Sequence, residues 1–147
     1  MKIVRDPIPE TLKTELKEYV YDIIGAMHEV YRQLENGLPE YIYQEALYKQ
    51  LIKIGYTDTK KEWQYHPTFN GLDLESYLKM DLVVPLREGN VIIECKSIET
   101  LSDRERYQTY GYMTATHFPI ALLVNFGTYP KAQIERYYAK DNQIHAF

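Results

Sequence analysis

The sequence predicts a single α/β domain built on a mixed β-sheet flanked by α-helices, and three observations carry that prediction. Residues 79–97 hold two apolar runs around Arg87-Glu88-Gly89-Asn90, which reads as a hairpin of two strands. Ile120-Ala121-Leu122-Leu123-Val124 is a continuous apolar run, the pattern of a strand buried on both faces. Elsewhere apolar residues recur at three- and four-residue steps, the period of helices that cover such a sheet.

Taken in order, Pro7 and Pro9 suggest an extended lead into a helix with a proline in its first turn. Leu12, Leu16, Tyr19, Ile23, Met27, Val30, Tyr31 and Leu34 then trace one long amphipathic helix that stops at Asn36-Gly37. Gly25 sits in its middle, where glycine costs about 1 kcal/mol relative to alanine. Close approach of another backbone and simple tolerance both account for it. Pro39 opens a second helix that Gly55 ends at about Ile54, with Ile42, Tyr43, Ala46, Leu47, Leu51 and Ile54 as its core face. Glu45 shares a stripe with Tyr41, Tyr48 and Ile52 at the edge of that face. It is either a solvated acid or one that reaches a site at the core's rim.

From Thr59 to Asn70, Glu62 and Gln64 alternate with Trp63 and Tyr65, and Pro67 marks an edge strand. Asn70-Gly71 is a hairpin turn, and residues 74–86 return as the strand carrying Asp81. Ser102 or Asp103 caps a helix of about residues 103–116, which crosses over to the buried run at 120–124. Arg104, Gln108 and Tyr112 fall on one stripe of that helix, a face for phosphates or for water. From Pro130 onward, Ile134, Tyr137 and Tyr138 fit a short strand or a short helix.

The chemistry concentrates in the hairpin. Glu94 and Lys96 share a strand face, Cys95 points to the other, and the fold-back brings Asp81 opposite a residue between about 94 and 96. Charges in buried strands are costly unless paired or holding a metal. Two neighbouring carboxylates repel, and a magnesium ion relieves that with one or two acids plus waters. Lys96 then supplies a fixed positive charge for a nucleophilic water or a phosphate. Acid-x-Lys also occurs at Glu15–Lys17 and Asp58–Lys60, so spacing alone does not single out the site. A structural salt bridge between Lys96 and one acid is the plainer alternative.

Composition narrows the partners. At 147 residues, 45% apolar and 26% charged, the chain suits one domain with a proper core. A net charge of −4 argues against coating nucleic acid by bulk charge, so any such binding is local and metal-assisted. The 15 tyrosines serve either as stacking surfaces for bases or as packing and interface residues, including those of a homodimer. One cysteine excludes an internal disulfide and a cysteine-based zinc site, and the four histidines lack ligand-like spacing. No signal peptide and no membrane-length apolar run is apparent, so a cytoplasmic location is expected.

Six stretches together resemble a known family: Ile23-Ile24-Gly25-Ala26-Met27-His28-Glu29-Val30-Tyr31-Arg32, Tyr43-Gln44-Glu45-Ala46-Leu47, Met80-Asp81-Leu82-Val83-Val84, Ile93-Glu94-Cys95-Lys96, Gln108-x-x-x-Tyr112 and Leu123-Val124-Asn125-Phe126-Gly127. Their order is similar to the PD-(D/E)XK nuclease superfamily and, within it, to the small bacterial GxxExxR proteins. The resemblance implies a restriction-endonuclease-like core and a nuclease dependent on Mg2+ or Mn2+, acting on nucleic acid with DNA ahead of RNA. It implies Asp81, Glu94 and the main-chain carbonyl of Cys95 as metal ligands and Lys96 as the catalytic lysine. Glu45 would be a helix-borne acid and Gln108 a polar group near the site. Glu29 and Arg32 match the motif that names the family, with an ion pair or helix-packing contact as their plain role. Leu34-Glu35-Asn36-Gly37-Leu38-Pro39-Glu40 departs from the family's glycine-rich turn. The alternative from another class is a nuclease-fold module that binds nucleic acid or a protein partner without cutting.

Overall fold

The computed structural model of the chain describes residues 2–3 and 8–147. The expectation attached to Pro7 falls outside them. After β1 (Lys2–Ile3) come α1 (Glu10–Tyr19), α2 (Tyr21–Leu34) and α3 (Glu40–Lys53). Then follow β2 (Lys60–Tyr65), the two short strands β3 (Thr68–Phe69) and β4 (Leu72–Asp73), β5 (Leu78–Leu86) and β6 (Gly89–Lys96). The helix α4 (Asp103–Thr116) leads to β7 (Ile120–Asn125), β8 (Gln133–Lys140) and β9 (Gln143–Ala146).

Seven strands form one sheet in the order β1-β9-β8-β7-β6-β5-β2. The pairs β2–β5 and β5–β6 are antiparallel, while β6–β7 is parallel and spanned by α4, as the crossover reading requires. The helices α1, α2 and α3 pack on one face, against Leu82, Val84, Val91, Ile93, Leu122 and Val124. The other face, which carries Met80, Val83, Ile92, Ala121 and Leu123, is covered by Tyr112 and Met113 of α4. Both faces are therefore apolar, which explains why β7 is buried at every position.

The single long helix expected from residues 12–34 is two helices. Val20, fully buried, leaves helical geometry at φ −104° and ψ 8°. The break lets the apolar stripes of α1 and α2 meet different parts of the sheet, and Tyr19 at the end of α1 accepts the Glu88 N–H at 2.8 Å. Packing thus overrides a continuous helical period. The segment after Pro130 resolves into strands, β8 and β9, whose side chains are mostly half-buried.

Arg106 fastens α4 to the sheet with two bonds to Glu135 of β8, at 2.8 and 2.9 Å, and makes one more to Asp103 within its own helix. Ser102, one of the two caps expected from the sequence, closes a reciprocal cap with Glu105 at the start of α4. A second clamp joins the ends of β6 and β7. Asn125, fully buried, accepts the N–H groups of Ile98 and Gly127 and donates to the Ile98 carbonyl. A Cβ on Gly127 would stand 2.1 Å from the Ile98 oxygen and 2.4 Å from its nitrogen, so only glycine allows this approach. Gly127→Ala should therefore cost about 1–3 kcal/mol in urea unfolding, because backbone rather than a flexible side chain must yield.

Candidate active site

The register of the hairpin builds the site. Leu82 pairs with Ile93 and Leu86 with Gly89, so one further step sets Asp81 across from Glu94. Beyond that step, side chains replace the ladder. The Asp81 N–H donates to Glu94 Oε1 at 3.0 Å, and the Cys95 N–H donates to Asp81 Oδ2 at 2.9 Å. Each carboxylate thus spends one oxygen on the opposite backbone and keeps the other.

The strand also twists here. Simple alternation would set Met80 and Leu82 on one face, yet they pack on opposite faces of the sheet. On the neighbouring strand β2, Glu62 lies between Lys61 and Trp63, which pair with Leu82 and Met80, and it adopts φ +50°. The two strands turn together, and the Asp81 carboxylate is left facing the β6 backbone.

Lys96 extends from the end of β6 and donates through Nζ to Gln108 Oε1 of α4 at 2.8 Å. Cys95 points to the opposite face, where its side chain is fully buried in the core beneath α2 and α3. The strand end is tied down by the Phe126 N–H, which donates to the Lys96 carbonyl at 2.8 Å, and by Ser97 Oγ, which donates to the Leu38 carbonyl at 2.6 Å. Behind it, the rings of Tyr43 and Phe126 stack with centroids 4.6 Å apart.

The electrostatics follow from burial. Glu94 is 2% exposed, and burial, with the Asp81 charge adding, pushes its carboxyl up to about 8. Asp81 is raised in the same direction by burial. Tyr112 of α4 is pushed up to about 12 by burial and by the charges of Glu94 and Asp81. Once both are ionised, buried Glu94 and half-buried Asp81, with one lysine nearby, carry an excess of negative charge that a cation would neutralise.

The donor set fits a small hard cation. Asp81 and Glu94 each retain an oxygen, and magnesium needs only one or two carboxylates beside its waters. Among the described residues no group of three or more His, Cys, Asp or Glu side chains forms a cation cage. That is the habit of a calcium or zinc site rather than of magnesium.

Of the residues singled out in the sequence, the structure brings Asp81, Glu94, Lys96 and Gln108 together, with the Cys95 backbone between them. Glu45 lies elsewhere. Gln44 Nε2 of α3 reaches the Asp81 carbonyl at 3.4 Å, and Glu45, one residue on, is rotated about 100° away and is exposed. Glu40, one turn before Gln44, is the acid on the near side of α3. It is half-buried and raised by burial, with the Lys96 charge opposing and the Asp81 charge adding. Its sequence signal was the i, i+4 spacing to Gln44 on the first turn after Pro39, legible only once the facing side of α3 is known. Glu29 and Arg32 form an exposed two-bond ion pair at 2.7 and 2.8 Å on α2, and Glu29 is held down at about 2 by Arg32 and Gln33. A cleft of about 770 Å³ is lined by Arg106, Tyr107, Tyr110, Arg136 and Tyr137 and includes none of the acidic pair or Lys96. No helix among the described residues is long and apolar enough to cross a membrane.

A family model described as the PD-(D/E)XK nuclease superfamily matches residues 17–137. Among solved structures, the crystal structure of SSO0001 aligns with a TM-score of 0.46 at 17% identity, over 66% of this chain and 48% of that one. This chain thus spans about half the length of that protein. No curated protein matches the chain significantly.

Proposed function

The chain belongs to the PD-(D/E)XK nuclease superfamily, and from that premise we propose that it is a metal-dependent nuclease hydrolysing phosphodiester bonds of nucleic acid, DNA ahead of RNA. The observation that carries the reading is the convergence of Asp81, Glu94 and Lys96 at one end of the β5–β6 hairpin. Asp81, Glu94 and the Cys95 carbonyl would hold Mg2+ or Mn2+. When bound, the ion supplies Lewis acidity toward a phosphoryl oxygen and lowers the pKa of an attached water. Gln108 holds the Lys96 ammonium in place, where it offsets charge developing on the phosphate. Tyr112 closes the α4 side and limits access of bulk water, which strengthens each of these charges. The buried, unpaired thiol of Cys95 suits a reducing cytoplasm. A finer placement with the GxxExxR proteins rests on the Glu29-x-x-Arg32 spacing, Gly25 standing four residues before Glu29 rather than the motif's three.

The helix-borne acid in this reading is Glu40. Glu40→Gln should slow cleavage about tenfold or more, while Glu45→Gln should leave it within about twofold. Equal effects of the two in a timed nicking assay would remove Glu40 from the site. The enzyme claim itself is tested with purified protein on single- and double-stranded DNA and RNA. Cleavage should require Mg2+ or Mn2+ and vanish in EDTA, and an inert protein with both metals would leave no support for catalysis.

Among the described residues no three acids lie close enough to cage a cation, which favours one rival, a module of the same fold that binds nucleic acid or a protein partner without cutting. Such a module should bind equally well in EDTA, which a gel-shift assay measures.

A further inference from the structure

Residues 66–77 leave the sheet between Tyr65 of β2 and Leu78 of β5 as a finger outside the seven-stranded sheet. It is closed by its own bonds. Thr68 pairs with Asp73 and Phe69 with Leu72, the Leu74 N–H donates to the Pro67 carbonyl at 2.9 Å, and His66 Nδ1 lies 2.9 Å from the Leu74 oxygen. Asn70 and Gly71 form the turn at φ 53° and 75°, the two-residue form that matches strand twist. Every residue from Thr68 to Tyr77 is exposed. Phe69 and Leu72, the pair flanking the turn, are 66% and 70% exposed. Single apolar side chains on a surface are ordinary, but two facing each other at the tip of an unpacked hairpin point to a partner.

The finger's position says which partner. It departs from the edge of the sheet where β2 ends and β5 begins, and pairing directions place the ends of β6 and β7 at that same edge. Asp81, Glu94 and Lys96 stand there. Leu78 is three residues from Asp81, about 10 Å along the strand, and the five residues from His66 to Asn70 reach about 17 Å further. A nucleic acid that offers a phosphodiester to the cluster therefore lies alongside the finger.

Charge limits how the two can touch. The finger carries Asp73 and Glu75 and no lysine or arginine, so it cannot grip phosphates. Its apolar tip suits the uncharged surface that nucleic acid offers, the flat face of a base pair. In a continuous duplex both faces are already stacked. One is open where a strand leaves the duplex.

We infer that residues 66–77 are a wedge whose Phe69 and Leu72 stack on the last base pair at a junction of double- and single-stranded nucleic acid, setting the acidic pair and Lys96 against the backbone beside it. The acidic shaft then fends off the backbone of the departing strand. This inference rests on the nuclease reading and narrows its substrate to forked or flapped structures.

The test compares a fork, a matched continuous duplex and a matched single strand, with 2-aminopurine in the last base pair of the fork. The wild type should cut the fork about tenfold faster than the duplex and change the 2-aminopurine fluorescence on binding. Phe69→Ala/Leu72→Ala should lose the preference and the fluorescence change at an unaltered Tm, whereas Phe69→Trp, which keeps a ring, should retain both. A wild type that cuts fork and duplex equally, or a double variant that keeps the preference, overturns the wedge and leaves the nuclease reading standing. So does light scattering in which the double variant turns a dimer into monomers, since the tip would then join two copies. If the wild type cuts nothing, the nuclease reading fails, and the fluorescence change on fork binding alone decides for or against the wedge.

Discussion

Asp81→Asn should leave the protein folded and slow metal-dependent cleavage by about a thousandfold, close to 4 kcal/mol of transition-state stabilisation. Asparagine retains a side-chain oxygen, so the Cys95 N–H keeps an acceptor in place of Asp81 Oδ2. The negative charge that would hold the cation is lost, and the strand pairing is not. Asp81→Ala is the informative contrast. It orphans the buried Cys95 amide and should cost about 1–3 kcal/mol of stability as well as activity. Lys96→Ala should match Asp81→Asn in rate without loss of stability, because its one bond is to the exposed Gln108 at the rim. Circular dichroism and melting curves beside the nicking assay separate the two effects. A folded Asp81→Asn protein that cuts at the wild-type rate would remove the cluster from the chemistry.

How much of this was legible in the sequence depends on the range of the forces involved. The β5–β6 hairpin is local. Its apolar runs and the break at Arg87–Asn90 set the register to within a residue or two, enough to pair Asp81 with the Glu94–Lys96 segment. The helix at 103–116 and the buried strand after it were equally readable, because a cap and a continuous apolar run are short-range signals. The kink at Asp81 was not. It depends on Glu62 at φ +50° one strand away and on side chains replacing two ladder bonds, neither of which leaves a periodic trace. The break at Val20 was hidden for a related reason, since the apolar period runs through it and only the shape of the sheet beneath makes the helix bend. Choosing Glu40 over Glu45 required knowing which side of α3 faces Asp81, and Gln44 reports that only in three dimensions. The strand β8 was obscured by its mostly half-buried side chains, which suit a helix as readily as a strand.

Without a divalent ion, the protein should be most stable at mildly acidic pH and lose stability as the pH rises toward 8. Glu94 drives this arm. Its carboxyl moves from an ordinary value of 4.5 to about 8 on folding, because burial and the Asp81 charge disfavour the anion. Below about pH 4.5 the group is protonated in both folded and unfolded chains. Between 4.5 and 8 the folded protein keeps a proton that the unfolded chain has released, so each unit of rising pH favours unfolding by up to about 1.4 kcal/mol for this group. Asp81, raised in the same direction, adds to the slope. On the acid side Glu105 and Glu135 oppose it. Ser102 holds Glu105 low, and Arg106 and Tyr137 hold Glu135 low against the cost of burial, so stability is lost again as the pH falls through their ranges. Glu94→Gln removes the buried charge without changing the shape and should flatten the alkaline arm, raising the apo protein's Tm at pH 9 by roughly 5 °C or more. Magnesium should act on the wild type in the same sense. Asp81 and Glu94 would hold it only with Glu94 ionised, so it should raise Tm at pH 9 more than at pH 6 and should do little to Glu94→Gln at either. An apo wild type whose Tm is level from pH 5 to 9 would show that Glu94 ionises as readily in the folded protein as in the unfolded chain, and the burial and repulsion that a cation would relieve would then be absent.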